Sequence, residues 1–347
     1  MTEQLPSSAS NPMYWREPEQ KERDCKIFAE ELDDFVPGKV LDFHVHTFNE
    51  AGTHFGKTPS NYGGQTLNAY LVEDFFKDQA TAFPGRELKL VHFGLVQPQY
   101  DIPPVNAYNE QSDPSRCFPL RVFDPRNDTP EGVDADLARG KFHGLKPYPN
   151  LGNPENVNEA TIEQMLPDWV MEIANARKSI IMLHIPRLRR LEDPLNQEQL
   201  DRLCSRWPQA RIVMAHVGRA YYLQNVIGNL EVVKKHDNLY IDTSMVNHWE
   251  VLAYAFKELP NEKILYGSDA PIAFAPGKSV EINNQYSYVS PLKWRIAIQD
   301  TAGRIQFTTY LNEQLRAIRK AVEANGLGSD WVENYFWNNG MRLLGKA

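Results

Sequence analysis

Cysteine is scarce. The three present, Cys25, Cys117 and Cys204, are far apart and make no CxxC pair. That argues against a disulfide framework and for a reducing compartment. Long apolar runs are missing too: no stretch approaches the roughly 20 residues that span a bilayer. The first residues, Met1 to Pro6, are polar and lack the apolar core of a signal peptide. Excess positive charge is also absent. The net charge of -8 argues against a nucleic-acid or anionic-membrane partner. No short repeat or low-complexity tract appears. The expectation is a cytoplasmic, soluble protein whose partner is a small molecule, with a homo-oligomer left open.

What is there is ordinary for a globular chain of 347 residues, 42% hydrophobic and 24% charged, enough for one large domain. Residues 1–38 read as an N-terminal extension, punctuated by Pro6, Ser7, Ser8, Ser10, Pro12 and Pro18, with a short helix over Gln20–Leu32. Residues 39–347 read as one domain. Eight strand-like apolar runs recur there: Lys39–His46, Leu88–Val96, Cys117–Phe123, Phe142–Tyr148, Ser179–Ile185, Arg211–Val217, Leu239–Met245 and Lys263–Ser268. Helical patterns lie between most of them, over Leu67–Thr81, Asp134–Arg139, Thr161–Arg177, Gln197–Trp207, Ala220–Lys235 and His248–Leu259. Gln97–Arg116 is Pro-rich and a weaker helix. Alternating strands and helices imply a mainly parallel sheet. Eight such units imply an α/β fold, a closed (β/α)8 TIM barrel, with a doubly wound open sheet as the competitor. Ala273–Ile298 reads as a loop, where a lid or substrate loop would sit. Thr301–Ala347 reads as a helical C-terminal segment.

Polar residues fall repeatedly at the carboxyl ends of these runs. The first ends in His44-Val45-His46. Side chains alternate faces along a strand, so the two imidazoles share a face and can grip one metal ion, with Asp42 one step deeper on that face. The fourth run carries Lys146, the fifth and sixth end in His184 and His216, and the eighth ends in Asp269. In a barrel these ends meet at one mouth. Histidine with carboxylate suits Zn first, with Mn or Fe as alternatives. Any single histidine at a strand end is more often a hydrogen-bonded structural residue; the convergent set is what points to metal.

In these residues the chain resembles the amidohydrolase superfamily, in the amidohydrolase-related branch that includes aminocarboxymuconate-semialdehyde decarboxylase. The matching segments, in family order, are Asp42-Phe-His-Val-His46, Gly144-Leu-Lys-Pro-Tyr148, Met182-Leu-His184, Met214-Ala-His-Val-Gly218 and Tyr266-Gly-Ser-Asp-Ala-Pro271. The resemblance implies a TIM barrel and a divalent metal held by His44, His46, His184 and Asp269. It makes Asp269 also the acceptor of a proton from water. His216 would be an acid–base and electrostatic residue beside one metal, or a ligand to a second. Lys146 would face the substrate, the alternative being the carbamylated lysine of two-metal members.

Around that set, Arg187 and Arg219 each lie three residues past a site histidine and can clamp an anionic substrate; a surface ion pair is the competing role. Asp42 is expected to orient a ligand imidazole, or to be a structural buried carboxylate. Asp242 supports the site or caps the following helix. Tyr148, Tyr221 and Tyr222 line the pocket or pack, and His54 is placed to touch substrate. His92, His143, His236 and His248 read as structural. The leading expectation is a metal-dependent hydrolase attacking a small amide, lactone or ester carbonyl. The second is a non-oxidative decarboxylase, against which Arg219 stands where hydroxybenzoate decarboxylases of the branch often place glutamate. The third is a catalytically inactive barrel that binds a ligand.

Overall fold

The computed structural model describes residues 18–53, 60–62, 65–97 and 100–346. His54 falls outside the described residues.

Eight parallel strands form the centre: β1 Lys39–His46, β2 Glu87–Phe93, β3 in two pieces (Cys117–Pro119 and Arg121–Phe123), β4 Gly144–Pro147, β5 Ile180–Leu183, β6 Arg211–Met214, β7 Leu239–Asp242 and β8 Ile264–Leu265. They pair in chain order. β3 changes partner at Leu120, its first piece pairing β2 and its second β4. The ring closes between β8 and β1, where Phe43 N–H donates to Tyr266 O at 2.9 Å and Asp269 N–H to His44 O at 2.8 Å. The chain is a closed (β/α)8 barrel.

The strands read as near-continuous apolar runs because both faces are covered. Leu41, Phe43, Val91, Phe93, Phe118, Ile180 and Met182 fill the interior. The opposite side chains, such as Val40, Leu90, Ile181 and Ile212, join the larger layer under the helices. Gly144 is required where β4 meets β5: a Cβ there would lie 1.9 Å from Ile180 O.

The alternation on β1 is interrupted. With Leu41 and Phe43 inside the barrel, Asp42 points to the helical layer, where Gln79 Nε2 donates to it at 3.0 Å. The ladder to β2 then shifts between Asp42 and Val45. Such a bulge re-aims side chains, and past it His44 and His46 turn into the mouth. Asp42 therefore does not share their face, contrary to the period-two expectation.

Two more differences have local causes. The Pro-rich segment forms a helix, Ile102–Glu110, because Pro103 and Pro104 stand in its first turn, where backbone N–H groups have no helical partner. The segment expected as a loop folds into a small sheet after β8: β9 Lys278–Ile282, β10 Gln285–Ser290 and β11 Ala297–Gln299. β9 and β10 are antiparallel, and β11 runs parallel to β10. Asn283 and Asn284, at φ 53° and 56°, make the two-residue turn that favours asparagine in left-handed backbone.

The helix Pro18–Ile27 and the wide turn Phe28–Leu32 lie against helix Tyr310–Ala324. Phe28 and Leu32 are buried, and Arg316 forks onto both oxygens of Glu31. No helix of the described residues is long and apolar enough to cross a membrane.

Candidate metal centre

The carboxyl ends of the strands surround a cavity of about 410 Å³ that contains His44, His46, Lys146, His184, His216 and Asp269 in its walls. Tyr148, Arg187, Arg219 and Tyr221 line it as well, while Tyr222 does not. Two groups of ligand-type atoms lie within 4.8 Å of one another: His44 with His46 and Asp269, and His44 with His216 and Asp242. His184 shares the cavity, its ring 5.4 Å from that of His216, and belongs to neither tight group.

The hydrogen bonds set the tautomers. His44 Nδ1 faces Asp242 Oδ2 at 2.8 Å. A carboxylate only accepts, so the ring proton sits on Nδ1 and the lone pair on Nε2. Burial pushes the His44 imidazole down to about 3, with the Lys146 charge acting the same way, so the ring is neutral, the form that ligates. The Tyr148 hydroxyl donates to Gly94 O at 2.5 Å, and its oxygen lies 3.2 Å from His46 Nδ1. That oxygen accepts the His46 proton and leaves the lone pair of this ring, too, on Nε2. Burial likewise lowers His46.

Both Nε2 atoms then face Asp269 Oδ1, at 3.4 Å from His44 and 2.9 Å from His46. Burial works against the Asp269 charge, yet the His44, His46 and His216 rings around it hold its carboxyl below the ordinary value. Lone pairs and a carboxylate oxygen converging in a buried space repel unless a cation sits among them. His44 Nε2, Asp269 Oδ1 and His184 Nδ1 are buried atoms without a hydrogen-bond partner among the described residues. The donor set fits a divalent metal ion.

Asp242 is the hub behind the ligands. Its Oδ1 accepts from His216 N–H at 2.9 Å, Ser244 N–H at 3.0 Å and Ser244 Oγ at 2.6 Å. Ser244 in turn receives His216 Nδ1, through its carbonyl and its hydroxyl, both at 2.9 Å. Burial disfavours the Asp242 charge, but contact with His44 outweighs it and the carboxyl is lowered. One chain of hydrogen bonds thus couples two of the site histidines. Asp242 faces the site and not a helix end. Ser244 went unnoticed in the sequence; a polar Asp-Thr-Ser run closing the seventh strand was the available signal.

Asp42 takes the second of its two expected parts, a structural buried carboxylate. It accepts from the backbone N–H groups of His44 (3.2 Å) and Ser268 (2.9 Å). It pins β1 to the end of β8 and touches no imidazole. Burial pushes its carboxyl up to about 7.

The chain after β6 is bent to serve the mouth. His216, Val217, Gly218 and Arg219 all have left-handed backbone, at φ 59°, 52°, 63° and 61°. Each non-glycine residue there costs roughly 1–2 kcal/mol, the kind of strain kept where function requires it. The turn puts His216 and Arg219 on the cavity and Val217 in the core. At Gly218 a Cβ would meet Leu191 at 2.9 Å.

The four substrate-facing candidates separate. Lys146 is buried, its Nζ has no hydrogen-bond partner among the described residues, and it stands 4.2 Å from the Phe93 ring centroid. Burial brings its ammonium down to about 8. Arg219 donates to Ile185 O at 2.9 Å. Arg187 is neutralised, at 3.0 Å from both Asp193 and Glu159. The Tyr148 hydroxyl is committed to Gly94 and His46, and so positions a ligand.

Among the histidines read as structural, His92 bonds Thr47 and Ser112 and His236 bonds Asp201. His248 lies between Glu250 and Glu281, and His143 packs edge-on against Phe118.

A barrel whose strand ends gather imidazoles and a carboxylate at one mouth defines a class of metal-dependent enzymes. The chain belongs to the amidohydrolase family, whose model matches residues 42–346. No curated protein matches it. Among solved structures it resembles a probable 2-pyrone-4,6-dicarboxylic acid hydrolase from Acinetobacter baumannii, at 14% identity over 88% of this chain and 99% of that one, TM-score 0.52. It also resembles a 4-oxalomesaconate hydratase from Rhodopseudomonas palustris (15% identity, 88% and 96% covered, TM-score 0.54). A third is a 2,6-dihydroxybenzoate decarboxylase from Rhizobium (13%, 89% and 99%, TM-score 0.55). Those names span three reactions, so the likeness carries the fold alone.

Proposed function

We propose that the protein is a metal-dependent hydrolase that adds water to a small amide, lactone or ester carbonyl. The observation that carries this reading is Asp269. Its Oδ1 meets the Nε2 atoms of His44 and His46, and the carboxyl is held in its charged form. His44, His46, His184 and Asp269 would hold one divalent ion, Zn by ligand type, which when bound supplies a Lewis acid for the carbonyl and acidifies water.

The chain's own groups supply the rest. Asp269 accepts the proton released by the attacking water. His216, with Nδ1–H anchored on Ser244 O, turns the Nε2 lone pair to the cavity, where it takes that proton from Asp269 and hands it on to the leaving group. Lys146 offers an unpaired cation to a negative group on the substrate. Part of the cavity lining is apolar, from Leu95, Tyr221, Tyr288 and Trp294, which limits the water around the reacting carbonyl.

The test is a product assay. Metal-loaded protein is screened against lactones, amides, esters and aromatic carboxylic acids, with acid release and CO₂ release followed separately. Metal-dependent acid release without CO₂ supports the hydrolase. Stoichiometric CO₂ would overturn it in favour of a decarboxylase. Protein that neither retains metal nor turns over any substrate would favour a binding barrel.

A further inference from the structure

Away from the barrel mouth, one cluster of arginines is neutralised. The larger cavity, about 840 Å³, is walled by Arg121, Arg126 and Arg139. Each has a carboxylate: Asp128 and Asp136 on Arg121, Asp124 on Arg126, Glu110 and Asp136 on Arg139. Nothing there is left for an anion to satisfy. At the mouth of the barrel the pattern changes. Arg187 is paired, but among the described residues no ion pair holds Lys146 or Arg219.

The placement of these two cations is informative. Lys146 is on β4 and Arg219 follows β6, with β5 and His184 between them. Neighbouring strands lie about 4.8 Å apart, so the two strand ends are about 10 Å apart across the mouth. In the strand order the cations stand on either side of His184, and both line the cavity. One carboxylate cannot meet both and still present a carbonyl between them.

We propose that the substrate is a small dicarboxylate, with one carboxylate on Lys146, the other on Arg219, and the reacting carbonyl held between them. This rests on the hydrolase reading only in placing the substrate in this cavity; which bond breaks does not enter. Arg219 is suited to its part. Its guanidinium is fixed at one end by Ile185 O, and the left-handed turn aims it at the cavity. The remaining N–H groups form the fork that grips a carboxylate with two hydrogen bonds. Lys146, behind Phe93 and Tyr148, acts as a point charge.

The test is calorimetric titration of the metal-loaded full chain with isophthalate, and with benzoate as the one-carboxylate control. Isophthalate is expected to bind at least roughly tenfold more tightly, the size of one charge-assisted contact. Lys146→Met and Arg219→Met should each close most of that gap, while Arg219→Lys keeps part of it. If Arg219→Met does not fold, Lys146→Met and Arg219→Lys decide. Equal affinity for the two probes, no saturable binding of either at millimolar concentration, or a gap that survives both Lys146→Met and the Arg219 variants overturns the proposal. The binding gap and the acid-versus-CO₂ assay are read independently, so either reading can fail alone.

Discussion

Asp242→Asn changes one atom and should reverse the tautomer of a metal ligand. Asp242 Oδ1 accepts three donors, from His216 N–H, Ser244 N–H and Ser244 Oγ. An amide NH₂ placed there would face three donors with nothing to accept, so the asparagine oxygen must take that side. The NH₂ is then forced to the Oδ2 side, 2.8 Å from His44 Nδ1. Because it donates, Nδ1 must accept, and the ring proton moves to Nε2. The lone pair that faced Asp269 is lost to the metal. Groups that orient a metal-ligating histidine in this way are typically worth 10–100-fold in metal affinity, which is about 1.4–2.7 kcal/mol at 1.36 kcal/mol per tenfold. The metal-free protein loses a charge-assisted hydrogen bond and gains relief from a buried charge, so its stability should move by only about 1 kcal/mol. Zinc affinity measured by competition with a chelator, beside urea unfolding of the metal-free protein, separates the two effects. Affinity within about twofold of the unaltered protein would refute the tautomer argument. A fall in unfolding free energy as large as the fall in binding would show that the carboxylate mainly holds the barrel together.

Three further outcomes are expected. His184→Ala should lose metal and activity together, whereas His216→Ala should lose activity and keep most of the metal; loss of half the metal from His216→Ala would show a two-metal site. Gly144→Ala should destabilise the barrel by more than about 3 kcal/mol, because the added Cβ meets Ile180 O at 1.9 Å; a melting temperature unchanged by the substitution would contradict this. His92 is buried and its imidazole is pushed down to about 3 by burial. Between the ordinary value of 6.5 and about 3 the unfolded chain binds a proton that the folded chain does not. Its contribution is therefore complete above about 6.5 and is lost as pH falls, amounting to about 2 kcal/mol by pH 5. His92→Gln should reduce the stability lost between pH 7 and pH 5 by about that much, and an equal loss in both proteins would refute it.

Much of the architecture was legible because its cause is local. β1, β5 and β6 are apolar enough to be buried on both faces, and the segments between them have helical periodicity. The sheet β9–β11 was legible in principle: Asn283-Asn284 is a turn signal, hidden by a polar and aromatic setting that looks like a loop. The site was legible as residue types at strand ends. What each polar group bonds to was not. Asp42 was expected on the face of His44 and His46, but the bulge on β1 turns those two into the mouth and leaves Asp42 facing Gln79. Arg187 looked like a substrate clamp equal to Arg219 until Asp193 and Glu159 were seen to neutralise it.

By itself, the sequence determined the eight alternating units, the polar residues at the strand ends and the family they resemble, because burial pattern and motif order are written along the chain. Only the tertiary structure decided that His44, His216 and Asp242 form one hydrogen-bonded unit, and that among the described residues no ion pair holds Lys146 or Arg219. A buried polar group takes its state from whichever donors and charges fold against it. Here those come from positions as far apart as His44 and Asp269, which meet only when β8 closes onto β1.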